Sequence, residues 1–149
     1  MIDDATARTA GHLVRRAHQI HDTIFAQETA GFDITSPQLA ALTSIAKHPG
    51  IEQTALAELI AYDCSTIGGL IDRLEAKKLV RRSVGKHDRR TRQLSLTQAG
   101  QTLLAEVLPH AARVHGRLLE PLSPQEREAF IAMLQRVVDI NGKLKETAA

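Results

Sequence analysis

The feature that most restricts the fold is a change of hydrophobic period near residue 78. Before it, four apolar residues recur at the spacing of one helix face: Ile67, Leu70, Ile71 and Leu74. After it, residues 79–84 and 92–97 alternate as strands do, and a polar turn joins them. The segment 63–97 therefore predicts one helix, with Asp63 as its N-cap, followed by a two-stranded β-ribbon.

Most of the positive charge of the molecule lies in this segment. Residues 77–92 contain eight basic residues and one acid, a local net charge of +7, although the whole chain carries only +2. A concentrated cationic ribbon beside a polar helix face is typical of proteins that bind nucleic-acid phosphates. A solvated surface hairpin would explain the charge alone, but the helices upstream favour nucleic acid.

Two short helices are predicted before this segment. Ser36 is expected to cap the first, with Pro37 at its first helical position, and residues 48–50 end it. The second spans 51–60 and turns directly into the helix that begins at Asp63. Short helices joined by a tight turn fit a helix-turn-helix whose last helix reads DNA.

Two adjacent glycines, Gly68 and Gly69, lie inside the predicted recognition helix. Each costs roughly 1 kcal/mol of helix stability relative to alanine. A helix that keeps both is expected to need a bare backbone surface at this point, and short polar neighbours such as Ser65 and Thr66 agree with that interpretation.

Long amphipathic helices are predicted on both sides of this region. The first covers about 6–29, another follows a Thr97 cap to about 120 with Pro109 kinking it, and the last runs to about 144 after a capping box at 123–126. A small lobe cannot cover so much apolar surface, so a homodimer is expected. The predicted fold is mainly α with a small β-ribbon. In this division, 1–34 and 98–149 form a helical dimerisation region, 35–97 form the winged helix-turn-helix lobe, and the whole is a single structural domain.

Other classes of protein are disfavoured by what the sequence lacks. It has no apolar run long enough to cross a membrane and no signal-peptide pattern, and its single cysteine suits a reducing cytoplasm. Neither a Gly-x-Ser-x-Gly motif nor a phosphate-binding glycine loop is present, so no enzyme, no catalytic residue and no cofactor is predicted. A helical adaptor for other proteins would leave the cationic ribbon unexplained.

Residues 55–100 resemble the MarR (multiple antibiotic resistance regulator) family, most specifically in the Asp88-Arg89-Arg90 tip followed by a Leu-Ser-Leu-Thr strand. The resemblance implies a winged helix-turn-helix homodimer that represses from a palindromic operator and is released by a small molecule, often a phenol or an aromatic acid. It implies contacts to the major groove and its phosphates for five residues: Ser65, Thr66, Gly68, Gly69 and Arg73. It also implies that Arg90 enters the minor groove, and that Asp88 holds the wing by pairing with a neighbouring arginine.

For the other cations of the ribbon, the prediction of DNA contact depends on their positive charge. Lys86, Arg89 and Arg92 lie at the tip and are predicted to contact DNA. Arg81 and Arg82 precede the tip, and two interpretations stay open for them: contact with phosphates, or an exposed strand face without a partner.

A ligand site is predicted on the first helix, where Arg15, His18 and His21 fan outward from one edge of the apolar stripe. A guanidinium and two imidazoles beside apolar walls suit an anionic ring compound. The segment also resembles family members that respond to aromatic carboxylates, in which an arginine and a histidine six residues apart hold the ligand; Arg15 and His21 match that spacing, and Ser36 is a weaker candidate. As alternatives, Arg15 pairs with Asp22 or with the partner subunit, and His21 is a satisfied core histidine.

Two other sensing chemistries remain as alternatives. His18 and His21, at i and i+3, could chelate a metal together with His110 or His115, but no Glu-x-x-His or Cys-x-x-Cys spacing accompanies them, so no metal site is predicted. Cys64, at the start of the recognition helix, could sense oxidants.

Overall fold

The fold is described by a computed structural model that covers residues 4–60, 62 and 64–142. The chain divides into two compact units between Val114 and His115. The helices are α1 Asp4–Ala7, α2 Ala10–Glu28, α3 Ser36–Lys47, α4 Gln53–Leu59, α5 Cys64–Ala76, α6 Gln98–Leu118 and α7 Pro124–Asn141. The strands are β1 Ile51–Glu52, β2 Val80–Val84 and β3 Arg92–Leu96. The expected fold class, mainly helical with a small sheet, is confirmed.

The first helix is interrupted, whereas the sequence pattern predicted it as continuous from about residue 6. The break lies at Thr9, which has an extended backbone. Its hydroxyl donates to the carbonyl of Thr6 at 3.0 Å and accepts from the amide of His12 at 3.3 Å. One side chain thereby satisfies a backbone carbonyl at the end of α1 and a backbone amide at the start of α2, which favours two helices over one.

The N-cap of α3 is Thr35, so the prediction of Ser36 as the cap is wrong by one residue. The amide of Gln38 donates to the Thr35 hydroxyl at 3.3 Å, and the Thr35 amide donates to the Gln38 side chain at 3.2 Å. This reciprocal capping box satisfies two amides, where a serine cap followed by proline would satisfy one. Ser36 becomes the first helical residue.

The ribbon belongs to a three-stranded antiparallel sheet of order β1-β3-β2, where two strands were predicted. Residues 51–52 were expected to begin a helix but pair with β3 as Ile51↔Leu94 and Glu52↔Gln93. Gly50 directs the chain there: it has φ 83° and donates its amide to the Leu94 carbonyl at 2.8 Å. The third strand covers one edge of β3, which would otherwise leave backbone groups unpaired.

The core of this region is formed by the inner face of α5 against α3, α4 and β2. All four apolar residues predicted for that face are buried: Ile67, Leu70, Ile71 and Leu74. Leu42, Ile45 and Leu56 from α3 and α4 are fully buried as well. Complete burial of a side chain of this size stabilises the fold by about 1.5–3 kcal/mol, so α5 is firmly anchored and its outer face has a fixed position.

The start of α6 packs closely on the sheet region. The Thr97 hydroxyl caps the helix by accepting from the Gly100 amide at 3.0 Å, as predicted. A Cβ at Gly100 would overlap the backbone carbonyl of Leu79, so the helix can approach this closely only with glycine there. Pro109 lies within α6.

The predicted capping box of α7 is confirmed. The Ser123 amide donates to the Glu126 carboxylate at 2.7 Å, and the Glu126 amide donates to the Ser123 hydroxyl at 3.2 Å. Five apolar residues of this helix were predicted to point inward, in a dimer; in the single chain Phe130 is half-buried, and the other four are exposed: Met133, Leu134, Val137 and Val138. The predicted end of this helix near residue 144 lies outside the described residues. Across 4–60, 62 and 64–142, no helix is long and apolar enough to span a membrane.

Candidate nucleic-acid interface and ligand cavity

The outer face of α5 carries the residues that the resemblance assigned to the major groove. Ser65, Thr66 and Arg73 are exposed there, and Gly68 and Gly69 are half-buried. A Cβ at Gly68 would come only within 3.8 Å of Gln53, and one at Gly69 within 3.9 Å of Arg73, both ordinary contact distances. Packing among the described residues therefore does not require either glycine. The helix accepts their conformational cost on a surface that no described residue fills.

The tip of the wing is organised by Asp88. Its Oδ1 accepts from the Arg90 backbone amide at 3.0 Å and from Arg90 Nε at 3.1 Å, and its Oδ2 accepts from Arg90 Nη2 at 3.2 Å. The side-chain bond to Arg90, together with the backbone bond, lowers the pKa of Asp88 below its ordinary value. The Arg90 side chain remains 91% exposed, so the pair sets its direction without burying it.

The turn itself is closed by short contacts. Arg92 Nη1 donates to the carbonyls of Arg89 and Thr91 at 3.0 and 3.1 Å, and the Thr91 hydroxyl donates to the Asp88 carbonyl at 2.7 Å. A Cβ at Gly85 would overlap the Thr91 hydroxyl. Lys86 and Arg89 are exposed. Arg92 thus has a structural contact inside the wing in addition to its predicted DNA contact.

Arg82 is half-buried and paired, so its interpretation as an exposed strand face is wrong, whereas its contact with phosphates stays a prediction. Its side chain is only 20% exposed, and Nη1 lies 2.6 Å from Asp72 Oδ1 and 3.5 Å from Glu75 Oε1. Nε donates to Gln53 Oε1 at 3.0 Å and Nη2 to the Gly68 carbonyl at 3.2 Å. One guanidinium therefore joins β2 to α4 and α5. Strand alternation places it on the same sheet face as buried Val80, a signal that could have revealed this contact from sequence.

A second cation, Lys77, lies directly after the C-terminal end of α5. Lys77 Nζ donates to the Asp33 carbonyl at 2.6 Å and to Gln38 Oε1 at 3.1 Å, and lies 3.4 Å from the Asp33 carboxylate. The loop between α2 and α3 is thereby tied to the recognition helix. Sequence reasoning placed Lys77 in the cationic stretch and missed this role.

A cavity of about 440 Å³ lies between α2 and α3. Its wall includes His18, Asp22, Phe25, Ile34, Ser36 and Tyr62. Two of the four predicted ligand residues, His18 and Ser36, therefore line it. The other two, Arg15 and His21, lie on α2 but do not contribute to the described wall.

Asp22 links the two histidines of α2. His18 Nε2 lies 3.3 Å from Asp22 Oδ2, and His21 Nδ1 lies 3.2 Å from Asp22 Oδ1. The two imidazoles are stacked with centroids 6.2 Å apart, and His21 also stacks on Phe25 at 6.3 Å. Asp22 thus contacts the histidines, where the sequence alternative paired it with Arg15.

The other candidate sensing groups are placed elsewhere. His110 receives a hydrogen bond from Arg113 Nη2 at 2.7 Å and packs edge-on against Phe32, so it does not join His18 and His21. Cys64 is the first residue of α5, and its side chain lies outside what the structure describes, as does the predicted N-cap Asp63.

Comparison with known proteins identifies the family. The sequence profile of the MarR family matches residues 34–91. The transcriptional repressor NicR of Pseudomonas putida is 34% identical over 129 residues, which cover 87% of this chain and 82% of NicR. The chain belongs to the MarR family. The resemblance predicted from residues 55–100 is therefore confirmed, and the family and these relatives are transcription regulators.

Solved MarR-family structures confirm the winged helix-turn-helix fold. BpsR of Bordetella bronchiseptica, whose DNA binding is regulated by 6-hydroxynicotinic acid, is 32% identical with a TM-score of 0.85, covering 89% of this chain and 95% of BpsR. The repressor CouR, solved on a 23-mer DNA duplex, is 27% identical with a TM-score of 0.84, covering 91% of this chain and 96% of CouR.

Proposed function

We propose that this MarR-family regulator is a homodimeric repressor that binds a pseudo-palindromic operator and is released by a small aromatic acid or phenol. The observation that carries the DNA part is the α5 surface. It keeps two glycines that contacts with the described residues do not require, and it belongs to the same lobe as a wing whose tip arginine is almost fully exposed.

In this proposal α5 enters the major groove and the wing enters the minor groove. Short hydroxyl side chains and glycines let a helix backbone approach base edges and phosphates closely. The narrow, electronegative minor groove attracts an arginine fork, and the Asp88 contacts hold Arg90 in an extended direction. Lys86 and Arg89 add phosphate contacts at the tip.

A second copy of the chain supplies the other half-site. In the single chain, α2 exposes Leu13, Val14 and Ile20, and α7 buries none of its described residues. Burial of apolar surface yields about 25 cal/mol per Å², so covering these helices with a symmetric partner favours a dimer. Two recognition helices then read half-sites about 34–36 Å apart.

The effector is proposed to bind in the cavity between α2 and α3. Its volume suits a single substituted ring, its apolar wall includes Phe25 and Ile34, and the Ser36 and Tyr62 side chains offer hydrogen bonds to a ring substituent. The Asp22 carboxylate would repel an acid, so an anionic effector needs compensating charge from the imidazoles and from Arg15 at the edge of α2. The regulation of BpsR by 6-hydroxynicotinic acid supports this class of effector.

Release follows from a change in the spacing of the two recognition helices. An effector shifts this equilibrium only by its differential affinity for the DNA-bound and released arrangements. The contacts of Lys77 with Asp33 and Gln38 give a direct physical connection, because they join the loop beside the cavity to the end of α5.

Genomic DNA selection with the purified protein identifies the operator, and fluorescence anisotropy then follows its release by benzoates, cinnamates and hydroxypyridine carboxylates. Arg15→Ala is expected to keep operator affinity and to lose release. Arg16→Ala is the matched control, because Arg16 bonds to Gln19 elsewhere on the same helix. Normal release of Arg15→Ala by the active compound would refute the assignment of Arg15.

A further inference from the structure

We propose that His18, His21 and Asp22 bind one divalent transition-metal ion, such as Zn²⁺ or Co²⁺, at the rim of the cavity on α2. Within the residues that the structure describes, this is the one group of three potential metal ligands whose donor atoms converge. The proposal does not depend on DNA binding or on an aromatic effector.

The donor atoms are already near the geometry that a metal requires. All three lie within 4.8 Å of one another, and the two histidine–aspartate separations are 3.3 and 3.2 Å. Ligands bound at about 2.0–2.2 Å around a tetrahedral ion lie roughly 3.3 Å apart. Because His18 meets Oδ2 and His21 meets Oδ1, small side-chain rotations have to shorten the distances among one carboxylate oxygen and the two imidazole nitrogens.

The helix makes this shortening inexpensive. Residues at i, i+3 and i+4 share one helix face, with Cβ atoms about 5–6 Å apart. The side chains of His18 and Asp22 are 74% and 54% exposed, so their rotation disturbs no packing. The His21 side chain is 25% exposed and is held against Phe25, so it provides the fixed ligand toward which the other two move.

The chemistry of the set selects the class of metal. Two imidazoles and one carboxylate suit Zn²⁺, Co²⁺ or Ni²⁺, whereas Ca²⁺ and Mg²⁺ prefer oxygen ligands alone. A divalent ion would also take the place of the imidazole protons that lie between each ring and the Asp22 carboxylate. Three protein ligands leave a coordination position open, as in zinc sites that accept an exogenous ligand. Because His18 and Asp22 line the cavity, that position is accessible to water or an oxyanion within it.

The test uses tag-free, metal-stripped full-length protein. Co²⁺ is titrated with visible absorption as the readout, and Zn²⁺ is titrated calorimetrically, with Ca²⁺ as the negative control. We expect one Co²⁺ or Zn²⁺ per chain, and a loss of affinity of about tenfold or more in His21→Ala and in Asp22→Asn.

His87→Ala is the matched control, because it removes an exposed histidine from the turn between β2 and β3, outside the triad. It is expected to bind metal as the wild type does. Circular dichroism melting verifies that each variant is folded, and Asp22→Asn keeps nearly the shape of the native side chain. The proposal is overturned if the wild type takes up no Co²⁺ or Zn²⁺ at micromolar concentrations, or if His87→Ala weakens binding as much as His21→Ala does.

Discussion

The winged lobe buries its large apolar residues, whereas helix α7 exposes most of its own. In the lobe, Leu42, Ile45 and Ile71 are fully buried, and the cations at the tip of the wing are exposed. In α7, six large apolar side chains are exposed, and none of the described residues is buried. The lobe thus completes its own core, whereas α7 presents the kind of surface that another polypeptide covers. The proposed division of labour follows: the lobe binds DNA, and the long helices hold two copies together.

The largest effect is expected from placing charge on the apolar face of α7. Val137→Asp with Val138→Asp should convert a dimer, of mass twice 16.3 kDa, into a monomer in sedimentation experiments. Operator affinity should then fall more than about 100-fold, because one chain loses the effective concentration that its partner provides. Gln125→Asp is the control, since a negative charge in the first turn of a helix is favourable. A double variant that remains dimeric would show that the apolar face of α7 does not hold the two copies together.

The next effect concerns the base of the wing. Arg82→Met removes contacts to Gln53, Gly68 and Asp72 and leaves partly buried acceptors unsatisfied. Since solvent still reaches the site, we expect a loss of about 2 kcal/mol in the free energy of unfolding. Arg81→Met, on the same strand but exposed, should change stability by less than about 0.5 kcal/mol. Equal denaturation midpoints for the two variants would show that Arg82 does not brace α5.

A substitution at the tip of the wing should affect DNA binding much more than stability. Arg90→Ala is expected to lower the free energy of unfolding by less than about 0.5 kcal/mol, because its pair with Asp88 is exposed to solvent. It should weaken operator binding about tenfold and reduce the slope of log affinity against log salt by about one. Arg8→Ala, an exposed cation far from the wing in sequence, is the control. An unaltered salt slope would place Arg90 away from the phosphates.

The smallest effect concerns the titration of Asp88. Its pKa is lowered in the folded protein, chiefly by the Arg90 side chain. The stabilisation by the carboxylate is therefore fully present above the ordinary carboxyl pKa and is lost as pH falls through the lowered value. The stabilisation by the Asp88–Arg90 pair should therefore stay constant between about pH 6 and 8. Carboxyl NMR should give a lower midpoint for Asp88 in the wild type than in Arg90→Ala; identical midpoints would contradict the pairing.

The elements that the sequence predicted well have strong local periodicity. The buried face of α5, the two ribbon strands and the Ser123 capping box all depend on residues close in sequence. The elements it missed do not: β1 has only two residues, too few to show alternation, and it forms because Gly50 turns the chain toward Leu94. The interruption of the first helix depends on one threonine hydroxyl, which a hydrophobic pattern does not record.

The candidate sites divide in a similar way. The cations and glycines of the proposed DNA surface could be located from the sequence, because charge density and the cost of glycine in a helix are visible there. The contact of Arg82 with Gln53 spans 29 residues and required knowledge of how β2 lies against α4. Asp22 was considered only as a partner of Arg15, because side-chain rotamers, which the sequence does not give, determine that it meets both histidines.

Hydroxyl-radical footprinting of the full-length protein on its selected operator tests most directly whether two copies of α5 and the wing grip one duplex. Two protected half-sites centred about 34–36 Å apart, with two chains per duplex, are the predicted result. Protection of a single half-site by one chain, or no protection even at low ionic strength, would contradict it.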